Sequence, residues 1–483
     1  MTNLSDLFPA GAGKQVSFVA SGTLSNGQAV ALKSDGTVEA VAQGGPSADT
    51  PVTFNSATST NISATFDSAN NKVVISYQDG GNSNYGTAIV GTVSGTSISF
   101  GTAAVFESAP IGETSATYDS TNNKIVIAYG DSGNSGYGTA IVGTVSGTAI
   151  SFGTAVVFES AVSIYISATY DATNNKVVIA YRDNGNSEHG TAIVGTVSGT
   201  AISFGTAVVF ESAECLYIAA TYDSTNNKIV IAYRDAANSA YGTSIVGTVS
   251  GTAISFGTAV VFENAMASYI AATYDSTNNK IVISYSDGGN SDYGTAIVGT
   301  VSGTAISFGT AGVFESANSM YISSTFDSNL NKIVIAYQDV GNSEHGTAIV
   351  GTVSGTAISF GSPTVFESAT SSFNSAIYDS ANNKVVIAYS DNGNSDHGTS
   401  VVFQTVSTNN TSFIGIADAA ISSAASGNVT IKGGIAVNGL SSLTPGSDYY
   451  VQADGTISTV STGSAVKIGR AMSATSINLE YQS

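Results

Sequence analysis

One segment of the chain holds four consecutive stretches whose apolar and polar positions follow strand patterns. Tyr165–Tyr170 (YISATY) is rich in Ser, Ala and Thr, whereas Lys176–Tyr181 (KVVIAY) is apolar on both faces. Gly190–Val197 (GTAIVGTV) and Ala201–Phe210 (AISFGTAVVF) follow, and Gly205 is a predicted bulge. The tight-turn sequences DATNNK and VSGT separate the first pair and the last pair. The pattern predicts a four-stranded antiparallel sheet, whose strands we call A to D.

This segment is one of seven near-copies spaced 52 residues apart without an insertion. The motif [YF]-D-[SA]-x-x-N-K marks each copy, and its aspartates are Asp67, Asp119, Asp171, Asp223, Asp275, Asp327 and Asp379. Four-stranded repeats of this length are typical of β-propeller blades, and seven lies within the usual number. Strand B is apolar on both faces, as expected of a strand between neighbouring blades. Strand A is rich in Ser, Ala and Thr, whose small side chains fit the crowded centre of the ring. We therefore predict an all-β, seven-bladed propeller with strand A innermost.

The two ends of the repeat region predict how the ring closes. In the last copy, strand D begins at Asn410–Phe413 and then departs from the repeat pattern. Thr50–Phe54 (TPVTF) aligns with Thr154–Phe158 (TAVVF) yet precedes the first copy. We expect Thr50–Phe54 to supply the second half of strand D in the seventh blade, because an unclosed ring would leave unpaired strand edges.

The terminal segments predict a second, smaller domain. Leu24–Val38 aligns without gaps to Leu443–Ile457, sharing a leading Leu, a Gly three positions on and the turn sequence Asp-Gly-Thr. Similar segments at opposite ends suggest one small β-barrel or sandwich made from both termini, with the propeller inserted. The predicted divisions are residues 1–45, 50–413 and 414–483, with residues 44–49 as the entry linker and 414–426 as the exit.

The composition of the chain argues against several classes of partner and site. The 34 acidic and 14 basic residues give a net charge of -20, which repels nucleic acid and anionic membranes. No apolar run approaches the ~18 residues that a membrane helix needs. Cys215 is the only cysteine, so a disulfide framework or a multi-cysteine zinc site is excluded. The N-terminal residues lack a secretory signal pattern, which fits either a chain made in a cytoplasm and carried outside without Sec export or an ordinary cytoplasmic protein.

Differences among the copies are concentrated in the D–A and B–C connections, which share one rim of a propeller. The A–B and C–D turns, on the other rim, are nearly fixed. We expect a ligand on the variable rim, although loops also drift when nothing constrains them. The candidate ligand-binding residues are Tyr85, Tyr137, Tyr165, Arg182, Glu188, His189, Tyr217, Arg234, Tyr241, Tyr269, Tyr293, Tyr321, His345 and His397.

Neither the histidines nor the repeated aspartates indicate a metal or cofactor. His189, His345 and His397 occupy one repeat position that is Tyr in the other copies, so packing or sugar stacking is favoured over a metal role. Each B–C loop opens with an aspartate, and the set is Asp79, Asp131, Asp183, Asp235, Asp287, Asp339 and Asp391. One repeated carboxylate per loop is few for calcium, which takes six to eight oxygen ligands, so an Asx turn is favoured and calcium remains a weak alternative.

No acid, base and nucleophile set stands out from the repeats. The unique acids of the variable rim are scattered with one or none per blade, namely Glu113, Glu188, Glu214, Asp292, Glu344 and Asp396. Glycoside hydrolysis needs a pair of carboxylates about 5–10 Å apart. We expect a protein without catalytic activity.

The terminal segments carry a resemblance to a known class. FIGIADAAI, GLSSLTPGSDYYVQADGTISTV and VKIGRAMSAT near the C-terminus, with LSDLFPAGAGKQVSFVASGTLSNGQAVAL near the N-terminus, resemble the end modules of structural proteins in tailed-bacteriophage virions. The resemblance covers roughly the first 45 and last 70 residues. It implies a tail-fibre or decoration-type virion protein in which the end module attaches to other virion proteins.

The leading hypothesis is therefore a noncatalytic phage surface protein, such as a tail fibre, whose propeller rim binds a host-surface glycan or receptor. One alternative is a capsid decoration or head-fibre protein with a structural role, and another is a glycan depolymerase. The expected location is the virion, with several copies of the chain in the particle and no membrane insertion. Assembly contacts are expected mainly through the end module, because sevenfold symmetry matches no virion axis.

Overall fold

The computed structural model describes residues 14–42, 44–406, 409–461 and 465–480. Its secondary structure in these residues consists of β-strands and short 3-10 turns, without an α-helix. No helix in these ranges is long and apolar enough to cross a membrane. The chain divides into two compact units, one of Ser47–Thr405 and one of Met1–Pro46 with Val406–Ser483.

The larger unit is a closed ring of seven four-stranded blades, which confirms the predicted propeller. Its longest strands begin at the outside of one blade and end as strand A of the next, with bounds Val52–Asp67, Ala104–Asp119, Val156–Asp171, Val208–Asp223, Val260–Asp275, Gly312–Asp327 and Thr364–Asp379. The B strands are Lys72–Asp79, Lys124–Asp131, Lys176–Asp183, Lys228–Asp235, Lys280–Asp287, Lys332–Asp339 and Lys384–Asp391. The C strands are Tyr85–Ser94, Tyr137–Ser146, His189–Ser198, Tyr241–Ser250, Tyr293–Ser302, His345–Ser354 and His397–Gln404. Short outer strands are Ser97–Phe100, Ala149–Phe152, Ala201–Phe204, Ala253–Phe256, Ala305–Phe308 and Ala357–Phe360, with Ser47–Ala48 in the seventh blade.

Apolar residues on both faces of strand B build the core between blades. Val177, Ile179 and Tyr181 in the third blade are fully buried and pack against Val126 and Ala128 of the second. Equivalent clusters recur around the ring. Each blade therefore buries one face of its sheet only through its neighbour, which is why repeats without insertions form a stable ring.

The D–A connections are continuous strands rather than the loops expected. Val156–Asp171 pairs through its first residues with strand C of the second blade and through its last residues with strand B of the third. Strand D is correspondingly split, because the chain leaves the sheet between Phe204 and Val208. A Cβ at Gly205 would overlap with the carbonyl oxygen of Thr252 in the C–D hairpin of the next blade. Close contact between hairpins, rather than a bulge within one strand, explains this glycine.

Ring closure is achieved by the N-terminal side of the repeat region. Val52 and Thr53 pair with strand C of the seventh blade, as predicted for Thr50–Phe54. The prediction that Asn410–Phe413 begins strand D of this blade is wrong. Ser47–Ala48 takes that position beside Phe403 and Gln404, so the chain after strand C is free to leave the ring.

The smaller unit contains two five-stranded antiparallel sheets. The first has the order Gln15–Val19, Ser426–Ile431, Phe413–Ala417, Ala29–Leu32 and Val38–Ala40, and the second Ile435–Ala436, Ser476–Leu479, Val466–Ser473, Asp448–Val451 and Ile457–Ser458. Phe413 and Ala29 of the first sheet share one core with Ile468 and Val451 of the second. Both ends of the chain therefore build this unit, and the contacts divide after Thr405, earlier than the residue 413 boundary taken from sequence.

Candidate functional site: an aromatic ring at one mouth of the propeller

A bulge in strand A turns one side chain per blade toward the propeller axis. In the third blade the pairing with strand B slips between Ile164 and Ser167, and Tyr165 takes a left-handed backbone conformation with φ 51°. The same conformation occurs at Asn61, Tyr217, Tyr269, Tyr321 and Phe373, with φ between 47° and 53°. Asn tolerates this region, but a bulky aromatic residue there is strained. Such strain at repeated positions is typical of functional sites.

The aromatic members form a continuous crescent over the third to seventh blades. Consecutive ring centroids are 5.3 Å apart for Tyr165 and Tyr217 and also for Tyr217 and Tyr269. They are 5.4 Å apart for Tyr269 and Tyr321 and 5.2 Å apart for Tyr321 and Phe373. The rings are tilted by 46–52° to one another, and each side chain is only half-buried. A wall of partly exposed aromatic surface therefore lines one side of the channel.

Polar side chains complete the ring on the seventh, first and second blades. Asn61 and Glu113 replace the aromatic residue, while Thr114 and Asn374 replace the isoleucine that follows it in the other blades. Asn374 is 8% exposed and donates from Nδ2 to the carbonyl oxygen of Tyr321 at 3.3 Å. Within the described residues, its Oδ1 has no hydrogen-bond partner. The wall is therefore polar on one side and aromatic on the other.

Glu113 is the acidic group of this polar sector. Its Oε2 accepts a hydrogen bond of 3.3 Å from the backbone N–H of Ile166 in the next blade. Burial raises the pKa of the Glu113 carboxyl, although the backbone amides of Tyr165 and Ile166 and the Arg182 guanidinium act in the opposite direction. The carboxyl can therefore exchange a proton at a higher pH than an exposed glutamate does.

The ring lines an open cavity of about 280 Å³. Its wall comprises the ring residues and the residue after each of them, namely Asn61, Ile62, Glu113, Thr114, Tyr165, Ile166, Tyr217, Ile218, Tyr269, Ile270, Tyr321, Ile322, Phe373 and Asn374. This volume lies near the lower end of the range for small-molecule sites, about 300–1,000 Å³. The site thus has the size for a ligand of one ring rather than a long molecule.

Two arginines from the ends of B strands lie against the crescent. The Arg182 guanidinium carbon is 5.7 Å from the Tyr165 ring centroid, and that of Arg234 is 4.9 Å from the centroid of Tyr217. Arg182 forms ion pairs with Glu188 at 3.2 Å and Glu214 at 3.0 Å. Arg234 donates from Nη1 to Ser268 Oγ at 3.2 Å. These arginines support the aromatic wall through cation–π contacts and place positive charge behind it.

The remaining predicted rim residues lie farther from the axis and do not line the cavity. They begin the C strands, are half-buried and pair through their backbones with the following long strand: Tyr85, Tyr137, His189, Tyr241, Tyr293, His345 and His397. The structure thus separates the fourteen candidates into three groups. The axial set lines the cavity and consists of Tyr165, Tyr217, Tyr269 and Tyr321. Arg182, Arg234 and Glu188 lie behind this set, and the seven residues that begin the C strands form the outer set.

The repeated aspartates are engaged in the backbone of their own turns. Asp183 Oδ1 accepts hydrogen bonds from the amides of Gly185 and Asn186, capping the 3-10 turn Asn184–Asn186. Asp171 of the A–B turn is 1% exposed and accepts from two backbone amides and from the side chain of Asn174. No group of three or more His, Cys, Asp or Glu side chains is placed to hold a metal ion in the part of the chain that the structure describes.

Sequence reasoning missed the axial cavity, although its signal was present. The fourth letters of the variable D–A stretches TSTN, PIGE, VSIY, ECLY, MASY, NSMY and TSSF are the seven ring residues. Asn61, Phe373 and Asn374 were not selected, and Glu113 was seen only as a scattered acid. Their common direction depends on the bulge, which repeat alignment alone does not predict.

Comparison with known proteins supports the fold. No protein-family model matches the chain, and no curated protein sequence does so. The lectin BP39L from Burkholderia pseudomallei superposes with a TM-score of 0.55 at 10% identity, covering 72% of this chain and 96% of the lectin. Sqt1 of Saccharomyces cerevisiae and a chain of the mitotic checkpoint complex give TM-scores of 0.45 and 0.49 at 8% and 10% identity, each over 74% of this chain and 98% and 95% of theirs. At such identities the likeness to the lectin shows the propeller fold alone.

Proposed function

We propose that this chain is a noncatalytic carbohydrate-binding protein that uses the axial mouth of its propeller. The observation that carries the proposal is the crescent of Tyr165, Tyr217, Tyr269, Tyr321 and Phe373. Pyranose rings have an apolar C–H face that packs against aromatic side chains, and their hydroxyls bond to polar groups beside it. The lectin with a similar fold makes a carbohydrate ligand reasonable for a propeller, but the argument rests on the crescent.

The charge of the protein favours an uncharged glycan. The chain carries a net charge of -20, and Glu113 adds an acid at the cavity wall. Long-range repulsion disfavours polyanionic chains such as acidic capsules. A neutral host-surface polysaccharide is the ligand class that this surface fits best.

A retention experiment with neutral polysaccharides tests this function. Affinity electrophoresis in gels containing mannan, galactan or glucan should slow the wild-type protein in at least one of them. Tyr217→Ala should lose the retardation, whereas Tyr241→Ala in the outer set should keep it. Equal retardation of all three proteins, or none in any gel, would refute axial glycan binding. Shortening of the polysaccharide during incubation would instead favour the depolymerase alternative.

We further propose that the smaller unit attaches the protein to a phage particle. The support is the resemblance of both terminal segments to end modules of tailed-phage virion proteins. The two segments build one folded unit, as an attachment module requires. Immunogold electron microscopy of the particles is the direct test: label on tail appendages supports an adhesin, and label over the capsid supports a decoration or head-fibre protein. Particles without label would refute a virion role.

A further inference from the structure

The axial ring departs from its own repeat pattern in three consecutive blades. In the third to sixth blades the two cavity residues are Tyr followed by Ile, whereas the seventh, first and second blades have Phe373-Asn374, Asn61-Ile62 and Glu113-Thr114. Blades seven and one are neighbours because the ring is closed. The substitutions therefore form one polar sector opposite the tyrosines.

One member of this polar sector, Asn374, is unfavourable for the empty fold. Isoleucine fits the second position in five blades, and Asn374 introduces a buried amide whose Oδ1 has no partner among the described residues. A buried polar group without a partner costs about 1–3 kcal/mol. This oxygen is not exposed in the empty cavity, so a movement of the Asn374 side chain that brought it to a ligand hydroxyl would remove the penalty. Glu113 and Asn61 add further hydrogen-bonding groups along the same wall.

We propose that the cavity holds a single uncharged pyranose, the terminal residue of a glycan, with its C–H face toward the tyrosines and its hydroxyls toward Asn374 and Glu113. The inference rests on the proposed glycan binding and specifies its mode. The volume of about 280 Å³ accommodates a single ring. Seven blades surround the cavity, which is open at its mouth, so a terminal sugar can enter it along the axis.

The surrounding charges disfavour ionic ligands. A cation would meet the guanidinium group of Arg234 behind the aromatic wall, and this group has no ion-pair partner among the described residues. The charge of Arg182 is already balanced by Glu188 and Glu214. An anion would meet the acid Glu113 in the cavity wall wherever that group is ionised. A neutral amphipathic ring satisfies both sides, because the aromatic wall covers its apolar face and the polar sector bonds its hydroxyls.

Residues found at the same repeat position in other blades provide the variants for the test. Asn374→Ile and Thr114→Ile introduce the residue that other blades have at this position. Thr114→Ile removes a 2.9 Å contact with the Ser76 hydroxyl, but that hydroxyl still donates to the Ser63 carbonyl oxygen, so the fold should be retained. Tyr293→Ala in the outer set is the matched control. Isothermal titration with methyl glycosides of glucose, galactose, mannose and N-acetylglucosamine should give one binding site per chain for at least one sugar, and that sugar should release the retained polysaccharide. Asn374→Ile should weaken its binding at least tenfold, and Tyr293→Ala less than twofold.

Three results would overturn the inference. If polysaccharide is retained but no methyl glycoside competes, the glycan binds elsewhere on the rim, and the proposed function survives without end-on recognition. More than one sugar per chain would likewise exclude an axial site. Unchanged affinity in both isoleucine variants, with melting temperatures like the wild type, would show that the polar sector does not contact the ligand.

Discussion

Ser375 Oγ in the seventh blade accepts a hydrogen bond of 2.9 Å from the backbone N–H of Ala64 in the first blade. The same bond joins Ser63 to Ala116, Ser115 to Ala168, Ser167 to Ala220 and Ser323 to Ala376. The two remaining junctions have Ala219 and Ala271 in place of the serine. A belt of side chain to backbone bonds thus links strand A of one blade to the next, with two natural gaps.

This belt predicts a pair of opposite stability changes. Ser375→Ala should lower the free energy of unfolding by about 0.5–1.5 kcal/mol, because the Ala64 amide loses its partner. Ala219→Ser should raise it, since the new hydroxyl can accept from the backbone of the following blade. Urea unfolding followed by circular dichroism measures both. A loss of stability in both variants would mean that packing, and not the hydrogen bond, decides the residue here.

The fold was largely predictable because its determinants are local and repeated. The buried faces of strand B, the Asp171 turn and the hairpin before Ala201 follow from the residue pattern of each copy. The path of the chain from Phe204 to Tyr217 was not predictable. The strand Val208–Asp223 belongs to two blades, and the break before it depends on the hairpin of the neighbouring blade at Thr252. Asn410–Phe413 was misassigned for a similar reason. The repeat pattern placed this segment beside strand C of the seventh blade, but Ser47–Ala48, which is distant in sequence, occupies that position.

The N-terminal closure predicts a strong effect of a short truncation. Phe54 is 8% exposed, and its ring centroid lies 5.2 Å from that of Tyr77 and 5.7 Å from that of Phe100. A chain that begins at residue 55 should lose at least about 3 kcal/mol of ring stability, the cost of removing one buried Phe. A chain that begins at residue 47 is the control, because it lacks the same part of the smaller unit. Equal melting temperatures of the two rings would contradict the closure.

Calcium should not change the stability of the ring. Each B–C aspartate already accepts backbone amides through Oδ1, as Asp183 does, and supplies the loop with one carboxylate. Tight calcium sites need six to eight oxygen ligands. Thermal melts with 5 mM calcium and with EDTA should therefore coincide. A rise in melting temperature with calcium that is absent in Asp183→Asn would instead establish a metal site in that loop.

The candidate site was predictable in residue type but not in position. Variation among the copies selected Tyr165 and Tyr217 as members of the variable rim, and both line the axial cavity. It could not separate them from Tyr241, because both sets differ between blades and are aromatic. The separation arises from backbone geometry, since a left-handed residue in the bulge turns Tyr217 to the axis while Tyr241 begins a C strand that pairs with strand B without a shift of register. Asn374 was not predicted as a site residue, because a single asparagine in a Ser-rich stretch does not form a recognisable sequence pattern.

Glu113 predicts how the stability of the ring depends on pH. Burial raises the pKa of this carboxyl in the folded protein, so the fold favours the protonated form. Its contribution to stability is fully present below the ordinary pKa of 4.5 and is lost as the pH rises through the raised value. Glu113→Gln keeps the acceptor for Ile166 but cannot ionise. The melting temperature of this variant minus that of the wild type should therefore increase between pH 4 and pH 8.

The subtraction isolates Glu113 from the other acids of the ring. Burial also raises the pKa values of Glu159, Glu211, Glu263 and Glu315, but these residues are present in both proteins and their contributions cancel. Glu344→Gln, which removes an exposed carboxylate from the same rim, controls for the loss of one negative charge. Parallel curves for wild type and Glu113→Gln across this pH range would show that burial does not raise the pKa of the Glu113 carboxyl. That result would also leave the hydrogen bond to Ile166 as the sole role of Glu113 in the unliganded ring.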